Sequence, residues 1–90
     1  MNNKDKQLIA DYMELIFNPA RMSLYEYKDG REFKFNSTDA SFCVQEMQKR
    51  GDWFDFYWFA IGNSSSEALT AWLFNPDNFF AAFVEWRKGK

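Results

Sequence analysis

The sequence predicts an α+β domain of order α-β-β-α-β-β-α, with a four-stranded antiparallel sheet packed by helices. Three observations lead there. Lys28-Asp29-Gly30-Arg31 is a hairpin-turn signal between two short apolar runs. The nine residues Trp53 to Ile61 carry six aromatic rings and a single charge, Asp55, and read as a strand bulky on both faces. Three further segments place apolar residues at helical spacing between recognisable end signals.

The first helix is expected from about Asp5 to Phe17, with Leu8, Ile9, Tyr12, Met13 and Ile16 on its apolar stripe and Asp11 and Glu14 opposite. Asn2 or Asn3 can cap it. Asn18-Pro19 ends it, because the residue before proline avoids helical geometry. A hairpin with the two-residue loop Asp29-Gly30 follows, pairing Glu26 with Phe33 and Leu24 with Phe35. That register sets Met22, Leu24, Phe33 and Phe35 on a core face. Ser23, Tyr25, Tyr27, Glu32, Lys34 and Asn36 fall on a face that is mostly wet.

Asn36-Ser37-Thr38-Asp39 is a capping cluster for the second helix, whose stripe is Ala40, Cys43, Val44 and Met47 and whose end is Gly51. The aromatic strand then runs to a turn-rich loop at Gly62-Asn63-Ser64-Ser65-Ser66. Residues 67–74 fit two states. Ser64-x-x-Glu67 is a capping-box pattern that would start a short helix, whereas a strand there pairs back on the aromatic run. The strand is the reading adopted. The last helix has Asn75 as cap, Pro76 in its first turn, Asp77 at its positive end, and a broad face of Phe79, Phe80, Phe83, Val84 and Trp86. So wide a face suggests a helix lying deep against the sheet.

Ninety residues make one domain, 1–90, with no room for a second core. Aromatics form 21% of the chain, which supplies apolar area at little rotamer-entropy cost and reads first as core. Net charge is −2. The clusters Lys49-Arg50 and Arg87-Lys88-Lys90 fall at helix C-termini, where cations complement the dipole, so the charge pattern argues against a nucleic-acid partner. One cysteine cannot staple the fold, and the polar opening Asn2 to Gln7 leads into no apolar run of signal-peptide or membrane-span length. A cytoplasmic protein with no membrane association is expected.

Leu8-Ile9-Ala10-Asp11-Tyr12-Met13, the run from Phe35 through Met47, and Ala82-Phe83-Val84-Glu85-Trp86 resemble the opening, second and closing helices of small phage and prophage proteins with the phage ABA sandwich domain. The second segment has Ala40, Phe42 and Cys43 where that family has a tryptophan pair and a proline. The resemblance implies an alpha-beta-alpha sandwich from a phage or mobile element, of undetermined function, and no catalytic residues.

The residue types also argue against catalysis. With no histidine, acid–base work would need paired carboxylates or a tuned lysine. The pairs close in sequence are Asp52 with Asp55 and Glu26 with Asp29, and residues three apart on a strand point to opposite faces. The four glycines form no phosphate loop, and nothing calls for a cofactor or metal. Cys43, on a helical stripe, reads as a small buried hydrophobe.

Two functional readings remain. In the first, a non-catalytic protein binds a protein partner, or itself, through an aromatic surface built from Tyr25, Tyr27, Trp53, Asp55 and Tyr57. Asp55 is either a solvated charge near a strand start or a polar handle within that surface. In the second, the rings line a pocket for a small planar ligand such as a nucleotide. Single-strand nucleic-acid binding by stacking is a third, weaker idea that the acidic charge opposes.

Overall fold

The computed structural model describes residues 2–21, 24–62 and 75–90. The chain is α+β. It divides into two compact units, Met1–Lys34 and Phe35–Lys90.

In the first unit, α1 spans Asn3–Met13, capped by the Asn2 side chain, which accepts the Asp5 N–H at 2.8 Å. It ends sooner than its spacing suggests. Glu14 takes a left-handed conformation (φ 55°), and the Leu15 N–H closes the helix on the Ala10 carbonyl at 2.8 Å. Ile16 is therefore not on the helical stripe. It opens a strand, β1 (Ile16–Asn18), followed by a single 3₁₀ turn at Pro19–Arg21. Residues with high strand propensity meet a pairing partner there, which outweighs continued helical periodicity.

β1 pairs antiparallel with β2 (Leu24–Glu26), and β2 with β3 (Glu32–Phe33), in the order β1-β2-β3. The hairpin is present but its register differs by one residue: Tyr25 faces Phe33 and Glu26 faces Glu32. The loop holds three residues rather than two. The Gly30 N–H bonds to the Tyr27 carbonyl at 2.9 Å, Gly30 has φ 92°, and the Tyr27 N–H reaches the Arg31 carbonyl at 2.8 Å. That is a turn closed by a left-handed glycine, the usual three-residue hairpin. Asp29 supports it by accepting the Arg31 N–H at 3.0 Å. One residue of slip exchanges the faces. Tyr25 and Phe33 are buried, and the Tyr25 hydroxyl donates to the Gln7 side chain of α1 at 3.2 Å. Ile9 and Tyr12 of α1 are buried as well.

In the second unit, α2 (Ser37–Arg50) begins with a reciprocal capping box between Asn36 and Asp39. It stops at Gly51, φ 79°, with the Asp52 N–H returned to the Met47 carbonyl at 2.8 Å. The buried stripe is Ala40, Cys43 and Met47. α4 (Pro76–Lys88) is capped by Asn75, which accepts the Asp77 N–H at 3.0 Å, and buries Phe79, Phe80, Phe83, Val84 and Trp86. It packs on two helices, α2 and the one described next.

The largest departure lies between them. Trp53–Gly62 is a helix, α3, not a strand. The Asp52 carbonyl accepts the Phe56 N–H at 3.0 Å, and Asp55 sits in the positive first turn. Phe56 and Ala60, four apart, are buried, so one narrow helical stripe faces the core while other rings point away. Of the four expected strands, the two of the hairpin exist, the third is this helix, and the fourth (67–74) lies outside the described residues. β1 is a strand that periodicity did not signal.

Candidate interaction surface

Phe56 anchors α3. Its ring centroid lies 5.6 Å from Phe79, 6.3 Å from Phe83 and 5.6 Å from Trp86, with the Phe79 and Trp86 contacts edge-on. With this stripe turned inward, the rest of an aromatic helix must face elsewhere. Phe54 is 71% exposed and Trp58, one turn on, is 66% exposed, with Phe59 beside them more than a third exposed. Three large apolar residues on ten of helix make a patch rather than the scattered exposure common on protein surfaces.

The expected surface residues are distributed differently. Trp53, Asp55 and Tyr57 share α3. Trp53 and Tyr57 are half-buried and pack on each other at 6.0 Å between centroids, and Tyr57 meets Trp58 edge-on at 5.8 Å. Tyr25 and Tyr27 belong to the first unit, where Tyr25 is buried and Tyr27 is half-buried against Phe33 at 5.4 Å. The expected wet position of Tyr25 depended on the two-residue loop and goes with it. Phe54 and Trp58 were missed because alternation along a strand puts them on one face with Phe56; helical geometry separates them from it.

Asp55 is exposed, as expected of a solvated charge, but it begins a helix rather than a strand and has partners. Its carboxylate accepts the Trp86 indole N–H at 2.8 Å and forms an ion pair with Lys90. Lys90 and Arg87 also lie over the Trp86 ring, each 5.4 Å from its centroid. The Lys90 hydrogen bond, and after it that of Trp86, holds the Asp55 carboxyl below its ordinary value of 3.8. A carboxylate whose folded-state pKa is depressed stabilises the fold above its unfolded value and loses that effect as pH falls through the lower folded one. In an NMR titration the Trp86 indole proton should therefore shift with a midpoint below 3.8. A midpoint at or above that value, or an indole that ignores the titration, would remove this clasp of Asp55 on Trp86 and Lys90.

Among the described residues the remaining chemistry is sparse. Asp29 turns to Arg31 and Glu26 accepts from Asn18, so the carboxylates adjacent in sequence have separate partners. Cys43 is buried, and burial raises its thiol pKa far above the ordinary value, which suppresses the thiolate. Among the described residues no group of His, Cys, Asp or Glu could hold a metal ion, and no helix is long and apolar enough to cross a membrane. A cleft of about 200 Å³ lies between α2 and α4, lined by Ser37, Ala40, Ser41, Val44 and Phe79. Small-molecule sites more often run from about 300 to 1,000 Å³, and one ring in the lining gives a planar ligand nothing to be sandwiched between.

Comparison with known proteins adds no relative. No family model, no curated protein and no solved structure matches the chain.

Proposed function

We propose that this chain is a small non-catalytic protein that acts by binding another protein through the outer aromatic face of α3. The observation that carries the reading is the exposure of Phe54 and Trp58 one helical turn apart. Buried Phe56 on the inner stripe and the Asp55 clasp hold the helix that presents them. Aromatic residues on a fixed backbone are the usual anchors of protein interfaces, since they cover much area with few rotatable bonds. A partner groove lined with apolar side chains suits a helix presenting residues at i and i+4.

Kinship with the phage ABA sandwich proteins rests on the three segments 8–13, 35–47 and 82–86, and the helix at 53–62 replaces one strand that a four-stranded sheet would use. In a phage or mobile-element protein of the cytoplasm, such a face would serve to occlude a host or defence protein. The alternative, sequestration of a planar ligand, draws less support, because the exposed rings lie on a convex helix and the described cleft holds a single ring.

Cross-linking with mass spectrometry in the source cell tests the main reading. A Phe54→Ser/Trp58→Ser variant should keep its unfolding midpoint, since neither side chain is buried, yet recover cross-linked partner at least about 30-fold less well, as loss of an anchor worth about 2 kcal/mol requires. Undiminished recovery, with cross-links placed outside α3, would overturn it. A thermal rise that grows with nucleotide concentration would instead favour the ligand reading.

A further inference from the structure

We draw no further inference here: the strongest candidate, the surface patch of Ile16 and Phe17 on the outer edge strand β1, is a three-residue strand ended by Pro19, and nothing in the structure shows what covers it.

Discussion

Phe56→Ala is expected to cost about 3–5 kcal/mol, while Phe54→Ala, two residues earlier, should change stability by less than about 0.5 kcal/mol. The contrast follows from the helix. Phe56 is 1% exposed and its ring touches three others of α4, so truncation removes apolar burial and leaves a cavity between two helices. Phe54 points away and loses little. Small domains hold only about 5–15 kcal/mol in total, so the first substitution removes a large share of stability and the second almost none. Urea denaturation followed by tryptophan fluorescence separates the two. The pair also decides the secondary structure of the segment. In a strand, Phe54, Phe56 and Trp58 would share a face, and the two alanine variants would suffer alike. Equal losses would restore the strand and dissolve the surface proposed on α3.

How the segment came to read as a strand has a physical explanation. Bulky residues on every side satisfy both periodicities, so the run of six rings does not discriminate a strand covered on both faces from a helix. End signals were the better guide. Gly51 stops α2 in a left-handed turn, Asp52 follows in the capping position, and Asp55 lies three residues later at the positive end of the new helix. The i, i+4 spacing of Phe56 and Ala60 was equally visible. Asn36 with Asp39, Gly51, and Asn75-Pro76 bound α2 and α4 as their sequence signals predict, whereas α1 stops at Met13, short of Asn18-Pro19. Strong local hydrogen bonding fixes such ends whatever the tertiary context.

The hairpin failed differently. Asp-Gly named the turn correctly but not its length, because glycine serves both the two-residue loop and the left-handed position of a three-residue one. Nothing in the flanking residues broke the tie, since Leu24 and Tyr25 are each able to fill a core position. The early end of α1 was no more legible, as Ile16 fits a helical stripe and a strand equally well. Reading 53–61 as a strand also hid which rings are exposed: Phe54 and Trp58 face outward, while Trp53 and Tyr57 are half-buried.

Tyr25→Ala measures the other half of that error. On a wet face the substitution would leave the fold intact and affect only binding. In the observed register it empties the middle of the sheet, where Tyr25 opposes Phe33, packs on Phe17 at 5.5 Å between centroids, and donates its hydroxyl to Gln7 of α1. The expected loss is about 3–5 kcal/mol, by analogy with truncating any large buried ring. Tyr25→Phe keeps the ring and should lose only about 1 kcal/mol, the net worth of one hydrogen bond. Tyr27→Ala should fall between them, because that ring is half-buried and lies under the Arg31 guanidinium at 5.1 Å. Hydrogen exchange resolves where the damage falls. Y25A should release the amides of β2 and β3 before those of α2 and α4, since the ring belongs to the unit Met1–Lys34. A Y25A protein as stable as the parent would return Tyr25 to the surface and require the two-residue loop after all. Lost partner binding by Y25A therefore reports unfolding of the sheet, and only the Phe54 and Trp58 variants can report contact.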